Sequence, residues 1–183
     1  MKQSKAIKLA YAAGIFDGEG CVDITHRNRK GLINMQHDLR VKVTQKDGKI
    51  IDWLYGNFGG IVIVKNKNST LKNPDSENWI YEWRITALKA LSFLKEIYPF
   101  LQYKKEQVEL GIRFQNRKKF TGRKVDSLPQ NEVEVREKML LQMQQLKHQF
   151  SKSKNPNVIE YNFKSMVQPQ RLSEITPKGD AIV

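Results

Sequence analysis

Cysteine is nearly absent from this sequence. Cys21 stands alone among 183 residues, so no internal disulfide forms and no cysteine-based zinc site can be assembled. No apolar run approaches the length needed to span a bilayer. Acidic residues are also scarce: 19 Asp and Glu face 32 Lys and Arg, a formal net charge of +13 with a pI near 9.8. That imbalance favours polyanionic partners, nucleic acid first among them; the bland alternative is a lysine-rich protein of an AT-rich genome. The start, MKQSKAIKLAYAAGIF, has the charged beginning and apolar stretch of a signal peptide. Asp17 and Glu19 follow at once, however, and the chain runs on into strand periodicity, so the N-terminus reads as mature protein of a reducing, intracellular compartment. The remaining composition, 39% hydrophobic and 28% charged, is that of a globular chain long enough for one domain with a real core.

Periodicity orders the elements. Leu9, Ala12, Ala13 and Phe16 recur at helical spacing, and the glycines of Asp17-Gly18-Glu19-Gly20 are expected to end that helix in the usual way. From Cys21 the period changes to two: Val22 and Ile24 alternate with Asp23 and Thr25, and a polar side continues to Arg27 and Arg29. Lys30-Gly31 signals a turn. A second strand runs to about Thr44, with Leu39, Val41 and Val43 on one face and Asp38, Arg40 and Lys42 on the other. A short helix around Ile50–Tyr55, a strand at Ile61–Val64, a polar loop and a strand at Trp79–Ile85 come next. Helices are expected at about Ala87–Ile97 (Leu88, Leu91, Leu94), Lys104–Arg117 (Val108, Ile112, Phe114) and Asn131–Phe150 (Val135, Met139, Met143, Leu146, Phe150). The predicted fold is α+β, one antiparallel sheet with helices on its apolar face, in the order αββαββα plus C-terminal helices. Residues 1–150 form one domain, and the polar, proline-punctuated residues 151–183 an extension that wraps it or stays flexible.

The tetrapeptide Asp17-Gly18-Glu19-Gly20 places carboxylates two apart at a helix C-terminus, where backbone carbonyls are also free. The negative helix end attracts cations, and hard oxygen ligands suit Mg²⁺. Taken alone, such a tetrapeptide is more often a solvated turn. Read with the residues before it, AAGIFDGEG resembles the LAGLIDADG motif, and the chain is identified as resembling the single-motif class of LAGLIDADG homing endonucleases over about residues 7–150. Val43-Thr44-Gln45-Lys46 and Pro99-Phe100-Leu101-Gln102-Tyr103-Lys104-Lys105 resemble two further segments of that class. The motif departs from the family in ending on Glu rather than Asp, one methylene longer, and in having Ala12 at the usual leucine.

The resemblance implies a saddle-like four-stranded sheet and a site-specific double-strand DNA endonuclease that uses Mg²⁺ or Mn²⁺. It implies Glu19 as metal-binding carboxylate beside the Gly18 carbonyl, Gln45 positioning water or phosphate, Lys104 as the basic group near the cleaved bond, and Lys49 as a peripheral basic residue. Metal-clamped water attacking a phosphodiester needs no histidine base. One motif supplies one site, whereas cutting both strands needs two, so a homodimer is expected, packed through the small residues Ala12, Ala13 and Gly14.

The polar strand faces suit a β-ribbon in the major groove. Asp23, Thr25, Arg27 and Arg29 on the first strand and Gln36, Asp38, Arg40 and Lys42 on the second are the candidate DNA contacts, extended by Lys65, Lys67, Glu82 and Arg84. Strands of about ten residues span roughly 30 Å, so a dimer covers about twenty pseudo-palindromic base pairs. Arg113, Arg117, Lys118, Lys119, Arg123 and Lys124 are candidates for phosphate contact. His26 and His37 fall on paired strands, but the helix that an HNH-type metal unit requires is not evident, and Cys21 reads as a small buried residue. The competing function is a non-cleaving nucleic-acid binder such as an intron RNA splicing maturase. Chloroplast, mitochondrion, and bacterial or phage cytoplasm all suit the chain.

Overall fold

Alternating apolar residues in four short stretches build one sheet in the computed structural model, which describes residues 4–27, 36–66, 79–118 and 128–152. The strands are β1 (Gly20–Arg27), β2 (Gln36–Gln45), β3 (Ile61–Asn66) and β4 (Trp79–Thr86). They lie in the order β1-β2-β4-β3, every neighbouring pair antiparallel. The helices are α1 (Lys5–Glu19), α2 (Gly48–Phe58), α3 (Ala87–Ile97), α4 (Lys105–Arg117) and α5 (Gln130–Lys152), with a 3-10 turn at Tyr98–Phe100 between α3 and α4. The α+β architecture and the element order are those expected. The chain divides into two compact units, Met1–His148 and Gln149–Val183; residues 153–183, and with them most of the expected C-terminal extension, lie outside the described residues.

Pairing register decides which residues face the helices. Val22, Ile24, Leu39, Val41, Val43, Trp83 and Ile85 are buried beneath Ala12, Ala13 and Phe16 of α1, Ile51 and Leu54 of α2, and Phe93 and Leu94 of α3. Each large apolar side chain fully buried here contributes about 2 kcal/mol. Phe16, Phe58, Trp83 and Phe93 meet at mostly edge-to-face angles, with centroids 5.0 to 6.4 Å apart. Trp83 satisfies its buried indole N–H by donating to the Gly59 carbonyl at 2.7 Å. Gly59 and Gly60 turn α2 into β3 with positive φ, and a Cβ on Gly60 would lie 2.5 Å from Ile85 and 2.6 Å from the Arg84 carbonyl.

Three details differ from the sequence expectation. The helix does not stop at a left-handed glycine: α1 runs through Gly18 to Glu19, and its cap, Gly20, is extended at φ −74. Gly20 is needed for space, because a Cβ there would lie 2.1 Å from the Phe16 ring. On α3 the buried stripe is Ala90, Phe93, Leu94 and Ile97, and Leu88 is exposed. On α5, Leu140 and Met143 are buried, with Met139 and Leu146 packed at the edge of the core, and Arg136 is buried beside them, its guanidinium donating to Glu132 at 2.9 Å.

Candidate active site

The end of α1 and the turn leading into α4 satisfy each other's unpaired backbone groups. The Asp17 carboxylate accepts from the backbone N–H groups of Gln102 (2.7 Å), Tyr103 (3.3 Å) and Lys104 (3.0 Å). In return the Lys104 ammonium donates to the carbonyls of Phe16 (2.9 Å), Gly20 (2.8 Å) and, more loosely, Gly18 (3.5 Å). It also lies 5.9 Å from the Phe16 ring centroid. These carbonyls carry the negative end of the helix dipole, which is why α1 continues past Gly18 despite its low helix propensity. Burial pushes the Lys104 ammonium below the ordinary lysine range, while Asp17, Cys21 and Glu19 pull the other way.

With Asp17 committed to these amides, Glu19 is the acid left open. It is exposed and makes no side-chain hydrogen bond or ion pair among the described residues. The Gly18 carbonyl beside it is the least engaged of the three that face Lys104, and a carbonyl oxygen retains a second lone pair. A carboxylate and a carbonyl are hard oxygen donors, so these residues fit Mg²⁺ or Mn²⁺ with water and phosphate completing the shell. Gln45 ends β2, two residues beyond Val43, the cross-strand partner of Gly20, so it lies at the same end of the sheet as Glu19. Lys49 is exposed in the first turn of α2, whose cap Asp47 accepts its backbone N–H at 2.8 Å.

The face of the sheet away from the main core is strongly basic. Cross-strand pairs set Asp23 beside Arg40 and Thr25 beside Asp38, and Lys42 lies between Cys21 and Arg84. The face continues over Glu82 to Ile61, Ile63 and Lys65 of β3, which settles the parity of that strand. The acids on it are enclosed by cations. Asp23 is buried, 3.1 Å from Arg40 and 3.4 Å from Lys42, and also bonded by Lys147 of α5. Burial alone would raise its pKa, but these three cations hold it at about 2. Glu82 is likewise bound by Arg84 at 2.8 Å and Lys65 at 3.3 Å, and those bonds outweigh burial to lower its pKa. Asp23 and Glu82 thus orient cations rather than stand free to accept from a base. Thr25 Oγ1 donates to the Asp38 carbonyl at 3.4 Å. Lys118 holds Asp38 at 2.8 Å and Arg117 pairs with Glu132, so both are engaged within the protomer. Arg29, Lys67, Lys119, Arg123 and Lys124, and the side chains of Arg27 and Gln36, lie outside the described residues.

The small residues expected at a dimer contact do not all face outward. Ala12 and Ala13 have no exposed surface, because they pack into the protomer's own core. The outward stripe of α1 is instead Ile7, Tyr11, Gly14 and Gly18. A Cβ at Gly14 or Gly18 would meet nothing within 4 Å. Two roles are not legible in the sequence: Asp17 as acceptor for the amides of residues 102–104, and Lys147 as a partner of Asp23. No local pattern marks either, since their partners lie about a hundred residues away in the chain.

Comparison with known proteins adds to this geometry. Residues 12–110 match the family model described as LAGLIDADG endonuclease. Among solved structures, the homing endonuclease I-CvuI in complex with the I-CreI target aligns with a TM-score of 0.58 at 19% identity, over 76% of this chain and 82% of that one. The archaeal intron-encoded homing endonuclease I-Vdi141I, complexed with DNA, gives 0.58 at 17%, over 78% and 86%. The homing endonuclease I-TnaI gives 0.53 at 17%, over 83% and 99%. At these identities the likeness is one of fold. No curated protein matches the sequence.

Proposed function

This chain belongs to the LAGLIDADG endonuclease family, and from that premise we propose that it is a homodimeric, divalent-metal-dependent endonuclease cutting both strands of DNA at a long pseudo-palindromic site. One observation carries the reading: Glu19, the unengaged carboxylate of the motif, stands beside the Lys104 ammonium at the end of a sheet whose open face is lined with cations.

Glu19 and the Gly18 carbonyl would hold Mg²⁺ or Mn²⁺, which when bound neutralises phosphate charge and activates water. Lys104 orients the carbonyls on either side of Glu19 and adds positive charge where phosphate charge grows. Gln45 offers an amide to orient a water or a phosphate oxygen, and Lys49 adds a peripheral cation. Arg40, Lys42, Arg84 and Lys65 face the grooves, with Asp23 and Glu82 fixing how those cations point. One protomer contributes one such carboxylate, so two scissile bonds require two protomers. Gly14 and Gly18, open on the outward stripe of α1, allow the motif helix of a second copy to approach closely. Among the described residues no helix is long and apolar enough to cross a membrane. The proposed setting is intracellular, in an organelle or in bacterial or phage cytoplasm, with the gene carried by an intron.

The test is cleavage of the intron-free host locus by the purified protein. A Mg²⁺-dependent double-strand cut is expected, and Glu19→Gln should lower its rate by about a hundredfold or more while binding in Ca²⁺ persists. Binding without any metal-dependent cut would identify a non-cleaving binder of the maturase kind instead.

A further inference from the structure

Three side chains that the cleavage reading does not use converge at the other end of the β1–β2 ribbon. His26 on β1 and His37 on β2 are cross-strand partners on the core-facing side, their ring centroids 4.9 Å apart. Six residues separate them from the Gly20–Val43 pair, so they lie roughly 20 Å from the motif. Glu137 reaches them from α5. Both imidazole Nε2 atoms lie 2.8 Å from one oxygen of its carboxylate, and one ligand atom from each of the three falls within 4.8 Å of the others. The His37 side chain is 1% exposed, whereas His26 and Glu137 are 41% and 42% exposed, so the cluster opens to solvent on one side. His37 Nδ1 is buried and has no partner.

A single carboxylate oxygen shared by two imidazoles leaves little choice of protonation: each nitrogen must donate to it, or one must do without a partner. A cation at their centre satisfies all three at once. We propose that His26, His37 and Glu137 form a second metal site, for Zn²⁺ or a similar borderline transition-metal ion, that fastens α5 to the β1–β2 ribbon. Two nitrogens and one oxygen are the ligand set such an ion prefers, with water in the fourth position. Bonds of about 2.0–2.1 Å in a tetrahedron put ligand atoms roughly 3.3 Å apart. The Glu137 oxygen therefore moves back by about half an ångström from each ring, and the two imidazole nitrogens, within 4.8 Å of each other, settle at the same spacing; half-exposed His26 and Glu137 leave room for both shifts. Mg²⁺, which seeks an octahedron of oxygens, is a poor match, so the site is chemically distinct from Glu19 and does not depend on the cleavage reading.

The full chain carrying Glu19→Gln, which removes the oxygen-rich site, is titrated with Co²⁺ and then Zn²⁺. One equivalent per protomer should give the strong visible absorption of tetrahedral cobalt, displaced by Zn²⁺, and Zn²⁺ should raise the melting temperature. His26→Gln and Glu137→Gln, chosen because both positions are solvent-accessible, should each weaken binding at least about tenfold and abolish the melting shift. Absence of stoichiometric binding, or a cobalt spectrum unchanged in both variants, overturns the proposal and leaves the three side chains a hydrogen-bonded cluster only.

Discussion

Asp23 shows how a charged residue on a recognition face can be structural first. Its carboxylate is buried under Arg40, Lys42 and Lys147, and its pKa falls from 3.8 to about 2. A folded-state pKa below the unfolded value means that the stabilisation is present above pH ~4 and is lost as pH falls through about 2. The shift corresponds to stability on the order of 2 kcal/mol. Urea unfolding of the parent between pH 5 and pH 2 should show that loss, and Asp23→Asn should flatten this part of the profile; an unchanged slope would mean that the three cations do not hold the charge. The sequence displayed Asp23 as one member of an alternating polar face but not its third cation, since Lys147 is 124 residues away. Asp17 was hidden for the same reason. A motif shows which atoms lie close along the chain, whereas a cap supplied by distant residues appears only once the helices pack.

At the scale of elements, periods of two and 3.6 place β1, β2 and the longer helices of the described residues, because burial on one side enforces them, and the Gly59-Gly60 break separates α2 from β3. The faces of helices were harder to read. Leu88 is as apolar as Leu94 yet lies in solvent, and Arg136 is buried with Glu132, one turn away, as its ion-pair partner. The small residues of α1 carried the same ambiguity: Ala12 and Ala13 pack against the sheet, and Gly14 looks outward. Gly14→Leu tests that division. With nothing within 4 Å of the new Cβ and a better helix former in place, the protomer should fold with unchanged circular dichroism. Sedimentation equilibrium should then show monomer in place of dimer. A variant that remained dimeric would move the interface away from this stripe.

For the whole molecule, charge is the dominant quantity. On the open sheet face Arg40, Lys42, Lys65 and Arg84, joined by Lys118 from the end of α4 and Lys147 from α5, share three carboxylates, Asp23, Asp38 and Glu82, so excess positive charge remains after internal pairing. If about six phosphates are neutralised, affinity for duplex DNA should fall by about a thousandfold or more between roughly 50 and 200 mM salt. Fluorescence anisotropy across that range checks it, and a flat dependence would exclude backbone contact by this face. The interlock of Asp17 with the amides of residues 102–104 bears on how the protein is made. It joins positions some 85 residues apart, and a closure of that length forms later than local helix and hairpin contacts. A nascent chain ending short of Lys104 therefore carries the entire DGEG turn without the groups that set its geometry, and competence arrives only once residues 102–104 have been made and have folded back onto it.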